Sequence, residues 1–203
     1  MRFFYFCSMA TIKYIYQIFQ RFPFISTDSR KIQKDSIFFA LKGENFNGNK
    51  FAAESLTNGA AYAIVDEEQY VTSEKIILVD DVLDALTKLA NFHRKKLAIP
   101  ILAITGTNGK TTTKELLASV LAKKFNVSFT EGNLNNHIGV PLTLLKMNAQ
   151  TEFGVVEMGA NHPGEIAHLC NIAEPDYGII TNIGKAHLEG FGSFEGVIRT
   201  KSE

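Results

Sequence analysis

One local pattern constrains this chain more than any other. Ile101-Leu-Ala-Ile-Thr105 is a short continuous apolar run, the composition of a strand buried on both faces. Gly106-Thr-Asn-Gly109 follows, and from Lys110 to about Lys124 the residues Leu116, Leu117, Val120 and Leu121 recur at helical spacing. Strand, glycine turn and helix in that order make a phosphate-binding loop in a parallel α/β sheet. Gly106 and Gly109 permit positive φ and close backbone approach. The loop amides and the helix N-terminus then offer aligned donors to an anion. Lys110 adds a charge for the β and γ phosphates of ATP, and Thr111 puts a hydroxyl where Mg²⁺ is usually held. The predicted ATP contacts are Gly106, Thr107, Asn108, Gly109, Lys110, Thr111 and Thr112. Against GxxxxGK[ST] the first glycine falls at Ile104, so this is a shortened variant. A plain glycine turn with an exposed lysine is the alternative, and the agreement of strand, turn, lysine, hydroxyls and helix weighs against it.

The rest of the chain alternates short apolar runs with helical patterns, which predicts an α/β fold. Strands are expected at Ser36–Leu41, Ala60–Val65, Ile76–Val79, Asn126–Thr130, Phe153–Glu157 and Tyr177–Thr181. A helix is expected over Phe51–Asn58, ending at Gly59 as a C-cap. A longer one carries Val82, Leu86, Leu89, Ala90, His93 and Leu97 on one face, capped by Asp80 or Asp81. Pro100 breaks the pattern, which predicts a boundary near residues 97–100, with a small N-terminal α/β domain over 1–97 and a parallel-sheet domain over 98–203. Ser193 can cap a last helix, yet Lys201-Ser-Glu203 carries no terminating signal, so a fragment is expected.

The 203 residues are 45% hydrophobic, enough for one large or two small domains. Lysine plus arginine equals aspartate plus glutamate at 21 each, which argues against a broad nucleic-acid or membrane surface. No apolar stretch is long enough to span a bilayer. Cys7 and Cys170 lack metal or disulfide spacing and read as reduced thiols of a cytoplasmic protein. The start, Met1-Arg-Phe-Phe-Tyr-Phe-Cys-Ser, resembles a signal peptide, but its apolar run is short and no cleavage site follows, leaving Met9 as an alternative start.

In an open parallel sheet, ligands gather at the carboxyl ends of the strands. Glu157 closes one expected strand, where an acid commonly serves Mg²⁺; a structural ion pair is the alternative. His187, after the strand at 177–181, reads by spacing alone as a structural histidine or a site residue. Gly132-Asn-Leu-Asn-Asn-His-Ile-Gly139 offers side-chain amides to a polar substrate, or is an ordinary capped loop. In Thr27-Asp-Ser-Arg30, Arg30 either grips a diphosphate or lies on a surface turn.

Taken together, these stretches resemble the Mur ligases of peptidoglycan synthesis. The resemblance rests on Ser26-Thr-Asp-Ser-Arg30, Phe38-Phe-Ala-Leu-Lys-Gly-Glu-Asn-Phe-Asn-Gly48, Ile104 through Lys114, Gly132-Asn-Leu-Asn-Asn136 with Pro141-Leu-Thr-Leu-Leu145, Glu157-Met-Gly-Ala-Asn161, and Ala186-His-Leu-Glu189 through Lys201. It covers residue 26 to the end, and the shortened loop is normal in that family. It implies a UDP-binding first domain using Thr27, Asp28, Ser29 and Arg30, and a partial ATP-binding second domain. Thr111 and Glu157 would serve one Mg²⁺, and His187 with a carbamylated Lys201 a second; Lys110, Glu157, His187 and Lys201 are the implied catalytic set. Asn133, Asn135 and Asn136 would meet substrate, and the Asn135-Asn136 pair points to the branch that joins D-alanyl-D-alanine to UDP-MurNAc-tripeptide, rather than the branch with a threonine-rich motif there. The resemblance also implies a missing C-terminal domain without which the chain does not ligate; a monomer is expected, and a non-catalytic nucleotide- or UDP-sugar-binding module, or a related ligase, is the alternative.

Overall fold

The computed structural model describes residues 10–184 and 188–203; Cys7, Met9 and His187 lie outside them. The chain divides into two compact units, Met1–Leu89 and Ala90–Glu203, with the division inside a helix.

The first unit opens with α1 (Ile12–Arg21), whose N-terminus is capped by the Thr11 hydroxyl. Ile15, Ile18 and Phe19 recur at helical spacing and are buried. Then come β1 (Phe24–Ser26), β2 (Ser36–Phe39), the antiparallel pair β3 (Lys42–Gly43) and β4 (Phe46–Asn47), α2 (Ala52–Thr57), β5 (Tyr62–Val65) and β6 (Ile76–Leu78). The main sheet has the order β1-β2-β5-β6 and all its pairs are parallel. Its core gathers Phe38, Ala40, Ala52, Ala60, Ala63, Val65 and Ile76. The next helix, α3 (Val82–Leu97), begins where Asp81 accepts from the Asp84 amide at 2.7 Å, so of the two candidate caps Asp81 serves.

The second unit takes the C-terminal half of α3 and then β7 (Ile101–Thr105), α4 (Lys110–Leu121), β8 (Val127–Phe129), α5 (Gly139–Lys146), β9 (Phe153–Glu157), α6 (Glu165–Ala173), β10 (Tyr177–Ile180), α7 (Leu188–Phe191) and α8 (Phe194–Lys201). Its strand order is β10-β7-β9-β8, parallel throughout. Leu102, Ile104 and Val155 form a core on which Leu117 and Leu121 of α4 pack. Leu116 and Val120, on the same helix, remain exposed. Arg94 fixes the lower end of the sheet by donating to the Ala173 and Glu174 carbonyls and to Asp176, which in turn accepts from the Ile101 amide at 2.8 Å. Because all four strands run the same way, Thr105, Phe129, Glu157 and Ile180 close on one edge. No helix among the described residues is long and apolar enough to cross a membrane.

Candidate active site

The loop between β7 and α4 has the backbone its sequence demands. Gly106 sits at φ +138° and Gly109 at φ +78°, conformations that side chains with a Cβ rarely adopt. Lys110 is the first residue of α4, and its ammonium folds back to donate to the carbonyls of Gly106 (2.8 Å) and Thr107 (3.2 Å). The lysine is thus held over the turn whose amides would face a phosphate. Thr112 lies exposed in the same first helical turn.

Strand pairing brings Glu157 to this loop. Ile104 of β7 stands opposite Glu157 of β9, so the carboxylate ends beside the start of α4. Thr111 donates to Glu157 Oε2 at 3.0 Å, and Asn135 Nδ2 donates to Oε1 at 2.8 Å. Thr130 fixes the backbone by accepting from the Glu157 amide at 2.9 Å. Glu157 is only 2% exposed, and the contacts given to both carboxylate oxygens account for its burial.

Lys114 reaches the same carboxylate from behind, three residues along α4. It is fully buried, with Nζ 3.1 Å from Glu115 and 4.0 Å from Glu157 Oε2, and neither contact has hydrogen-bond geometry. A buried cation beside a buried carboxylate offsets part of the cost of burying each.

Donor chemistry at Thr111 and Glu157 suits a hard cation such as Mg²⁺, since both offer oxygen. Among the described residues, no group of three or more His, Cys, Asp or Glu could hold a metal alone. Mg²⁺ commonly takes one or two protein oxygens and completes its shell with phosphate and water, a number that Thr111 and Glu157 can supply.

Lys201, on α8, is 4% exposed, donates to the Ala160 carbonyl at 3.3 Å and lies over the Phe191 ring. Burial lowers the pKa of its amine, and the charge of Lys110 lowers it further, against the pull of Glu165 and Glu203. His187 lies outside the described residues.

Within the loop that precedes α5, Asn135 turns inward to Glu157, whereas Asn136 accepts from the amides of Ile138 (3.1 Å) and Gly139 (2.9 Å). Asn136 is thereby a structural cap of α5, and Asn133 is exposed. Thr27, Asp28, Ser29 and Arg30 belong to the first unit, after β1. Arg30 is exposed and holds both oxygens of Asp28 at 2.9 Å, which lowers the Asp28 pKa to about 2.

Three contributors escaped the sequence reading as site residues. Lys114 ends the Ile104–Lys114 stretch, but nothing in a helical lysine announces its burial. Thr181 ends an expected strand, and Asn182 follows it in a stretch with no local signal of a role. In the fold, Asn182 accepts through its carbonyl from the Thr107 amide (3.0 Å) and through Oδ1 from the Asn108 amide (3.1 Å). Asn182 Nδ2 and Thr181 Oγ1 both donate to the Asn108 carbonyl, at 2.9 and 2.6 Å.

Comparison with known proteins agrees with this geometry. A model of the Mur ligase family catalytic domain matches residues 21–94, and one of the Mur ligase middle domain matches 104–203. A UDP-N-acetylmuramoyl-tripeptide–D-alanyl-D-alanine ligase from Bacillus subtilis is 42% identical over 181 residues, covering 88% of this chain and 40% of that protein. A crystal structure of MurF from Acinetobacter baumannii superposes with a TM-score of 0.82 at 42% identity, over 88% of this chain and 39% of that one. A MurF ligase from Thermotoga maritima, solved in complex with ADP, gives 0.80 at 40% identity, over 88% and 42%. The chain therefore spans about two fifths of the length of the relatives it matches. With both units matched in order and the strand–loop–helix built as that fold requires, the chain belongs to the Mur ligase family.

Proposed function

We propose that this chain carries the substrate-holding first domain and part of the ATP-binding domain of a ligase that joins D-alanyl-D-alanine to UDP-MurNAc-tripeptide. The observation that carries the reading is the 3.0 Å contact between Thr111 and Glu157 at the mouth of the loop. It places a helix-start hydroxyl and a strand-end carboxylate together beside the loop amides and Lys110, the parts that nucleotide phosphates require. The identity and coverage of the D-alanyl-D-alanine ligases favour that branch.

In this reading Lys110 leaves the carbonyls of Gly106 and Thr107 and turns to the β and γ phosphates, while Thr107–Thr112 line the phosphate chain. Thr111 and Glu157 would hold Mg²⁺, which there neutralises charge on the transferring phosphoryl group. The γ-phosphoryl group passes to the terminal carboxylate of the UDP-tripeptide, giving an acyl phosphate and ADP. The amine of D-alanyl-D-alanine attacks the acyl carbon, an amide forms, and phosphate leaves. Lys201, biased by burial toward its neutral amine, is the form that adds CO₂ and releases a proton; with His187 its carbamate would hold a second Mg²⁺. Asn133, Asn135 and Asn136 lie in the substrate-side loop, Asn135 also orienting Glu157. Residues 1–97 are assigned to the UDP end of the substrate, through Thr27, Asp28, Ser29 and Arg30; Arg30 must part from Asp28 to grip a diphosphate. The reaction is assigned to the cytoplasm.

The test is phosphate release by the protein that carries this chain. Release from ATP should require both UDP-MurNAc-tripeptide and D-alanyl-D-alanine. Release that ignores the dipeptide, or that occurs equally with another amine acceptor in its place, overturns the assignment.

A further inference from the structure

We propose that Asn182 is a positioning residue that shapes the phosphate loop by occupying two of its amides. The proposal rests on the reading of the loop as an ATP site and adds a residue to it. A phosphate-binding loop works through the N–H groups it leaves free and aimed at one point. Here the Thr107 amide donates to the Asn182 carbonyl at 3.0 Å and the Asn108 amide to Asn182 Oδ1 at 3.1 Å. The amides from Gly109 to Thr112, at the start of α4, are the ones left to converge on an anion.

The contact is reciprocal. Asn182 Nδ2 donates to the Asn108 carbonyl at 2.9 Å, so one side-chain amide satisfies both polar groups of the Asn108 backbone. Thr181 Oγ1 donates to the same carbonyl at 2.6 Å, and Thr107 Oγ1 bonds the Gly184 amide at 2.9 Å. Close approach is built in as well, for a Cβ on Gly106 would lie 2.1 Å from Thr181 Oγ1. The loop is held against the segment after β10 by a two-way amide pairing that only asparagine or glutamine can make, and glutamine is one methylene too long. Without it, the Asn108 amide loses its acceptor and only the Thr181 hydroxyl still holds the Asn108 carbonyl, so the free amides are less firmly aimed.

Two substitutions in the protein that carries this chain test this. Asn182→Ala removes both side-chain bonds; Asn182→Asp keeps an acceptor for the Asn108 amide but sets an anionic oxygen against its carbonyl. Mg-ATP affinity should fall about tenfold in Asn182→Ala, and further in Asn182→Asp. Asn126→Ala, a control that loses a single exposed bond to Gln150 far along the same unit, should leave Mg-ATP affinity unchanged, and an equal loss of affinity there overturns a role specific to Asn182. Amide hydrogen exchange without nucleotide reads the pairing independently: exchange at Asn108 should accelerate in Asn182→Ala, which removes the acceptor of that amide. Affinities within twofold of wild type, with ATP bound by wild type, overturn the positioning role while leaving the ATP site standing. Unchanged exchange at Asn108 overturns the pairing itself. Failure of wild type to bind ATP, with exchange accelerated as expected, overturns the ATP reading and with it the role in phosphate binding.

Discussion

Substituting Gly106 by alanine separates two costs that the loop geometry imposes. Gly106 sits at φ +138°, and a Cβ there would stand 2.1 Å from Thr181 Oγ1 and 3.1 Å from the Asn182 carbonyl oxygen. Backbone strain of this kind costs about 1–3 kcal/mol. Forcing a methyl group against a fixed neighbour adds about 1–3 kcal/mol. Gly109 provides the comparison, because at φ +78° its Cβ would meet nothing within 4 Å. Gly109→Ala should therefore lose only the strain, about 1–2 kcal/mol. Gly106→Ala should lose more than Gly109→Ala by about 1–3 kcal/mol, chiefly the contact with Thr181. The double variant Gly106→Ala/Thr181→Ala should recover the part of that difference that comes from the Thr181 hydroxyl, less about 1 kcal/mol for the lost bond from Thr181 to the Asn108 carbonyl. Urea unfolding followed by circular dichroism measures each value. The steric reasoning is refuted if Gly106→Ala is no worse than Gly109→Ala, or if the two substitutions at 106 and 181 simply add.

Three further outcomes follow from particular contacts. Glu157→Gln keeps the shape but removes the charge, so Mg²⁺ should cease to strengthen ATP binding, a loss of about tenfold or more readable by calorimetry with and without the ion; an undiminished Mg²⁺ effect contradicts the metal assignment. Asn136→Ala removes the acceptor for the Ile138 and Gly139 amides and should cost about 1 kcal/mol, seen as a lower thermal midpoint, with an unchanged midpoint counting against the cap. Burial lowers the pKa of His93, which bonds the Met147 carbonyl at 2.8 Å. Below its unfolded pKa the unfolded chain then binds more protons, so its contribution is complete above about pH 6.5 and is lost as pH falls toward the folded value. In His93→Gln that part of the acid slope should vanish from a pH series of unfolding midpoints; a slope identical to wild type contradicts it.

The loop was legible in the sequence because its requirements are local: positive φ needs glycine, and a buried strand and a helix flank it. The strands and helices around it were read for the same reason, through period and composition. α1 and β1 were not, since Ile12–Arg21 mixes aromatic and β-branched residues that suit a strand as well as a helix. α5 was hidden by the glycine and proline at its start, and α6 by the glycine that precedes it. Glu157 could be suspected from its place at a strand end, but its distance from Thr111 depends on the pairing of β7 with β9, which no local pattern specifies. Lys114 and Asn182 lie further from view for the same reason. Burial of the first and the pairing of the second arise only once α4 and the β10 edge close around the loop.

Binding of ATP to the protein that carries this chain, titrated with and without Mg²⁺ and repeated with Lys110→Ala, tests the central claim most directly. Wild type should bind ATP, more tightly with Mg²⁺, and Lys110→Ala should bind about 10- to 100-fold more weakly, the worth of a hydrogen bond to a charged group. No binding by wild type, or equal binding by Lys110→Ala, would contradict the assignment of the Gly106–Thr112 loop as the nucleotide site.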